Sequence, residues 1–133
     1  MILHILRFRF KPEASDEQIA SVVESMHRFA EIEAVDSVVV GQVIDSEGYF
    51  SHSMIVTLRD LDALKAYHLD PIHAEADHQG LPLLEDVVSF DVSDDWDASL
   101  AGRITEILSQ RLEEQPDIAE LAQTLGANRG NTR

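Results

Sequence analysis

Apolar and polar positions alternate from Ile2 to Phe10. Ile2, His4, Leu6, Phe8 and Phe10 share one face, and Leu3, Ile5, Arg7 and Arg9 share the other. This period of two predicts a strand with one heavily apolar face, stopped at Lys11-Pro12. The period then changes: Ile19, Val22, Val23, Met26 and Phe29 recur at helical spacing. Ser15 with Gln18 three residues on forms a capping box, so the first helix is predicted over about residues 16–31. Residues 35–44 are rich in β-branched side chains and end at Asp45-Ser46-Glu47-Gly48, which reads as a second strand and its hairpin loop. A third strand is predicted over about residues 49–58, with His52, Met54, Val56 and Leu58 on one face. Asp60 caps a second helix carrying Leu61, Leu64 and Tyr67. Pro71 interrupts that helix, and a shorter stretch continues over about residues 72–79. Residues 87–92 form the last strand.

The resulting order, β-α-β-β-α-β, is that of an α+β ferredoxin-like unit over residues 1–95. Its first and third strands are the central pair, so His4 and His52 are expected to approach each other beneath the helices. Helices on one side leave the other sheet face bare, where Leu3 and Ile5 stand beside Arg7 and Arg9. That face is too apolar to remain in water, and a second copy packing sheet to sheet would cover it, giving a homodimer. Arg7 and Arg9 are then expected near the interface, paired with acids. Residues 96–126 read as a C-terminal helical extension. Leu100, Ile104, Ile107, Leu108 and Leu112 lie on one helix capped near Asp97 or Ser99, and Pro116 starts another that carries Ile118, Leu121, Ala122 and Leu125 and ends at Gly126. Residues 127–133 read as a flexible tail.

Composition narrows the partners. Among 133 residues, 10 Lys and Arg stand against 25 Asp and Glu, a formal net charge of −15. A nucleic-acid surface needs clustered basic side chains, so neither nucleic acid nor an anionic membrane is expected as a partner. The absence of cysteine removes disulfides, thiolate catalysis and cysteine-ligated metals. The start Met1-Ile2-Leu3-His4-Ile5-Leu6-Arg7 has the reverse order of a signal peptide, so a cytoplasmic protein is expected.

Candidate chemistry centres on histidine. His4 and His52 stand within apolar strand faces, and His73 follows Pro71 at the helix break. An imidazole among apolar side chains must find a partner or lose its proton, and either outcome tunes it toward proton transfer. If the break folds His73 back over Tyr67, a phenol and an imidazole together can polarise a carbonyl and remove a proton beside it. His68, His73, Glu75, Asp77 and His78 cluster in sequence, but their histidine spacings of five do not stack on a helix, so no metal is expected. No phosphate loop or nucleophile elbow is present, and no cofactor is expected.

Four segments, taken together, carry a resemblance. They are His4-Ile5-Leu6-Arg7-Phe8-Arg9-Phe10-Lys11-Pro12, the helix start Ser15-Asp16-Glu17-Gln18-Ile19, Tyr67-His68-Leu69-Asp70-Pro71-Ile72-His73, and Leu83-Leu84-Glu85-Asp86-Val87-Val88-Ser89-Phe90-Asp91. In this order and spacing they resemble the stress-responsive dimeric α/β-barrel (Dabb) family over residues 1 to about 93. Where that family commonly has His-Pro-x-His, this chain has Asp70 in place of the first histidine. The resemblance implies a homodimeric barrel. Its similarity to the olivetolic acid cyclase-like members implies cofactor-free chemistry with Tyr67 and His73 as catalytic residues. It also places His4 and His52 in the pocket and implies a small hydrophobic or polyketide-like ligand. The expected function is that of a cyclase, isomerase or lyase working by His/Tyr proton transfer. The alternatives are a non-catalytic stress-response scaffold or small-molecule carrier and, by fold analogy, a cofactor-free monooxygenase.

Overall fold

The computed structural model describes residues 1–130, with side chains described through Leu125. Strand β1 (Ile2–Phe10) is followed by helix α1 (Asp16–His27) and a 3-10 turn (Arg28–Glu31) that tightens its end. The capping box is present: the Gln18 N–H donates to Ser15 Oγ at 3.1 Å and the Ser15 N–H donates to Gln18 Oε1 at 2.9 Å. Strands β2 (Val35–Gln42) and β3 (His52–Leu58) form a hairpin with β2 at the sheet edge, and β3 starts three residues later than the alternation suggests. Tyr49 lies outside the ladder, and its hydroxyl donates to Asp86 Oδ2 at 3.0 Å. Helix α2 (Leu61–Leu69) is capped by Asp60, which accepts from the Ala63 N–H at 2.9 Å.

Helix α3 (Pro71–Gly80) is a new helix rather than a continuation of α2. The residue before a proline is pushed to extended backbone, and Asp70 takes ψ 136. Its carboxylate then caps α3 by accepting from the Ile72 N–H at 2.8 Å. Strand β4 (Leu84–Ser93) completes an antiparallel sheet of order β2-β3-β1-β4. Phe8, Met54, Val56, Leu58, Leu64 and Tyr67 are fully buried between this sheet and the helices. Burial of each such aliphatic side chain contributes about 1.5–3 kcal/mol.

The register corrects one expectation. His4 pairs with Val56, whereas His52 pairs with Phe8. Four residues at about 3.3 Å each therefore separate the two histidines along the central strands, and they do not meet. The ring of His52 instead packs on Phe8 and Phe10, with centroids 5.5 and 5.2 Å away.

On the open face of the sheet, Val39, Ile55, Ile5 and Phe90 lie in one cross-strand row. Arg9 pairs with Glu85 at 2.8 Å, as expected for a cation on this face. Arg7 differs: its guanidinium lies over the rings of Phe50 and Phe90, 5.5 and 5.8 Å from their centroids.

Helices α4 (Leu100–Glu114) and α5 (Pro116–Gly130) form the extension. They pack on this chain's own barrel: Arg111, Ile118 and Leu125 are buried, and Ile104 and Ile107 rest against the core. Helix α5 runs through Gly126 to Gly130 instead of stopping there, and residues 131–133 of the expected tail lie outside the described residues. No helix among the described residues is long and apolar enough to cross a membrane.

Candidate functional site

The helix break assembles the site. Because α3 restarts at Pro71 in a new direction, His73 turns back onto α2 and stacks on Tyr67, with centroids 4.3 Å apart and planes 22° from parallel. Nδ1 of His73 lies 3.2 Å from the Tyr67 carbonyl, and since a carbonyl only accepts, Nδ1 carries the proton. In the neutral ring this leaves Nε2 as the unprotonated nitrogen, 3.5 Å from Asp77 Oδ2 one helical turn further on.

Two more imidazoles join this pair. His68 follows Tyr67 on α2 and is 2% exposed, and neither of its ring nitrogens has a hydrogen-bond partner among the described residues. His4 enters from β1, with its ring 5.1 Å from that of His68 and 5.7 Å from Tyr67. Nδ1 of His4 bonds Asp91 Oδ1 at 2.8 Å across the β1–β4 ladder. Phe29 closes the group from behind, 5.2 Å from His73 and 5.5 Å from Tyr67.

The extension supplies the remaining wall. Arg111 of α4 pairs with Asp77 Oδ2, and its Nε donates to Gln115 Oε1 at 3.1 Å. His4, His68, His73, Asp77 and Arg111 line a cavity of about 170 Å³ whose apolar walls include Met26, Phe29, Met54, Leu108 and Ile118.

Burial sets the protonation states. It holds His68 and His73 well below the ordinary histidine range, with further depression of His68 by His4, His73 and Arg111 and of His73 by Arg111 and His4. Both rings are therefore neutral near pH 7. Burial raises Asp77, and Arg111 opposes that rise. Burial also raises the Tyr67 phenol well above its usual value, and the nearby Asp77 adds to this. The Tyr67 hydroxyl is buried without a hydrogen-bond partner among the described residues.

Of the four site residues expected from the sequence, His4, Tyr67 and His73 come together and His52 does not. His52 lies in a separate depression with Val23, Gln42 and Ser51, where its Nδ1 sits 2.7 Å from Ser51 Oγ. Tyr67 reaches the site through its ring and main-chain carbonyl, one layer behind the cavity wall. His68, Asp77 and Arg111 are additions that sequence reasoning missed as site residues. A signal existed for Arg111, because it lies four residues after Ile107 and three after Leu108, on the apolar stripe of its helix. His68 and Asp77 stood out only as members of the sequence cluster with His73, Glu75 and His78. Among the described residues no group of three or more His, Asp or Glu is arranged to hold a metal ion.

Solved structures share this architecture at low identity. A protein of Arabidopsis thaliana superposes with a TM-score of 0.65 at 22% identity, over 71% of this chain and 96% of its own. A dimeric ferredoxin-like protein of unknown function from Thermobifida fusca gives 0.63 at 23% identity, over 69% and 89%. A hydroxynitrile lyase from Passiflora edulis gives 0.63 at 17% identity, over 71% and 96%. No curated protein matches the sequence. The sequence profile of the stress responsive A/B barrel domain matches residues 2–94, the whole of the sheet and the helices that carry His4, Tyr67, His68 and His73, and the chain belongs to that family.

Proposed function

We propose that this protein is a small-molecule-binding enzyme that works without a cofactor, moving a proton at a carbon beside a carbonyl in a compact, largely apolar substrate. The observation that carries this reading is His68, an almost wholly buried imidazole on the cavity wall with both ring nitrogens unpartnered among the described residues. A buried polar group without a partner costs about 1–3 kcal/mol, and a ligand that takes up its bonds accounts for its retention.

The roles follow from the geometry. His73, with Nδ1–H engaged by the Tyr67 carbonyl, offers Nε2 as general base. His68 donates an N–H to the substrate oxygen as negative charge develops there. Tyr67 fixes the plane and tautomer of His73 by stacking and by its carbonyl, and His4, anchored by Asp91, packs against His68 and Tyr67. Ring closure of the olivetolic acid cyclase-like kind and isomerisation begin with such a proton transfer, whereas cleavage of a hydroxynitrile begins with removal of the hydroxyl proton by a base of the same kind. A neighbour that is a hydroxynitrile lyase supports the lyase branch at the level of fold. Two copies pair through the open sheet face, as the apolar row Val39, Ile55, Ile5 and Phe90 favours and as the dimeric neighbours support.

The test is hydrogen–deuterium exchange at carbon. The full chain is incubated in deuterated buffer with a panel of small ketones and aldehydes, and loss of the proton signal beside the carbonyl is followed by NMR. Exchange is expected for at least one compound and falls by about 10²–10⁴-fold in His73→Ala, the range for a general base. Binding without exchange across the panel, or exchange unchanged in His73→Ala, overturns the enzyme reading in favour of a carrier.

A further inference from the structure

Arg111 stands outside the part of the chain that matches the family, yet it reaches the histidine cluster. It is 8% exposed on the inward stripe of α4. One of its terminal nitrogens bonds Asp77 Oδ2, the same oxygen that lies 3.5 Å from His73 Nε2. We propose that Arg111 is a positioning residue for the site: by holding the Asp77 carboxylate, it keeps Nε2 of His73 unprotonated and free to act as a base.

A buried carboxylate beside an imidazole can have its charge matched in two ways. Either the imidazole takes a second proton and donates it from Nε2, or another cation provides the match. A guanidinium does not lose its proton inside a protein, so Arg111 supplies that cation permanently. With Asp77 matched, a further positive charge on His73 is opposed by Arg111 rather than drawn by Asp77. Without Arg111, the bare carboxylate favours a proton on Nε2 against the burial that opposes it, and His73 shifts from base toward acid. Of the other groups facing His73, only His4 acts in the same direction as Arg111, and it does so more weakly. His68 and Tyr67 on α2 are neutral, Phe29 is apolar, and His4 on β1 is turned to Asp91 on β4. The extension thereby sets the working state of a residue that belongs to the barrel.

This inference rests on His73 as the base, but its test reads the imidazole directly and needs no substrate. Long-range proton–nitrogen NMR spectra of the nitrogen-15-labelled full chain report tautomer and protonation for each histidine across a pH series. In the unaltered protein His73 is expected neutral with the proton on Nδ1. Arg111→Gln is expected to raise its midpoint by about one to three units, the effect of an opposite charge at this range. Arg111→Lys restores the original behaviour. Adding Asp77→Asn to Arg111→Gln removes the rise, which identifies the carboxylate as its source. If Arg111→Gln does not fold, Asp77→Asn alone carries the test: an unmatched Arg111 must then lower the midpoint of His73. An unmoved midpoint in a folded variant, or a wild-type proton on Nε2, overturns the proposal. A neutral His73 that nevertheless catalyses no exchange overturns only the enzyme reading.

Discussion

His73 stacks on Tyr67, six residues back and across a helix break, while its Nδ1 donates to the carbonyl of that same tyrosine at 3.2 Å. In an unbroken helix, six steps of about 100° would place the two on different faces. Asp70 and Pro71 remove that constraint together, because Pro71 ends one helix and the Asp70 carboxylate starts the next. Asp70→Ala is therefore expected to lower stability by about 1 kcal/mol, the worth of a helix cap, as read by urea denaturation. A midpoint identical to wild type would mean the cap does not hold the break.

Tyr67→Phe separates packing from hydrogen bonding. The ring fills the core, but its hydroxyl has no hydrogen-bond partner among the described residues. Removing a buried hydroxyl that makes no bond relieves a desolvation cost, so the melting temperature should stay level or rise. A fall corresponding to more than about 1 kcal/mol would reveal a hydroxyl that bonds within the folded chain. Because the hydroxyl lies behind the cavity wall, the loss of exchange rate should fall short of the roughly 10²–10³-fold typical of a lost oxyanion donor.

Stability should decline with acid. His68 and His73 are held below their unfolded values by burial, so the folded state binds fewer protons than the unfolded chain. Their contribution is fully present above the unfolded histidine value of about 6.5 and is lost as pH falls below it. Thermal melts from neutral pH downward should show this decline, and His68→Phe should reduce its slope. Equal slopes in the two proteins would remove His68 from the acid response.

Deleting residues 97–133 should destabilise the barrel and open the cavity. The deletion removes Ile118 and Leu125, both buried, along with Arg111, and it uncovers Met26 and Phe29 on the opposite wall. Burial of Ile118 alone contributes about 1.5–3 kcal/mol. A lower melting temperature and increased binding of an apolar fluorescent dye are expected. An unchanged melt would show that the extension merely rests on the surface.

The open sheet face should hold two copies together. Ile5→Glu places a charge at the centre of the row formed by Val39, Ile55 and Phe90, where burial in an interface would leave it unmatched. Sedimentation of the wild type should give a dimer and that of the variant a monomer. A wild-type monomer at micromolar concentration removes the interface.

The elements were legible along the chain wherever their cause was local. Ser15 with Gln18 and Asp60 act through backbone groups three residues away, so the starts of α1 and α2 could be read directly, whereas the start of α3 at Asp70 was read only as a continuation past Pro71. The strict alternation from Ile2 to Phe10 likewise placed His4 on the buried face of a central strand. Membership of the site depended on distances between elements, which no local pattern contains. The β1–β3 register puts His52 opposite Phe8 and away from His4, and nothing in either strand alone sets that offset. His68 is buried because α2 packs beside His4, and Asp77 meets Arg111 because a helix 34 residues further along docks over the cavity. Local hydrogen bonding settled where α1, α2 and α3 begin, whereas side-chain packing between elements distant in sequence settled which polar groups share a desolvated space and so which of them can do chemistry.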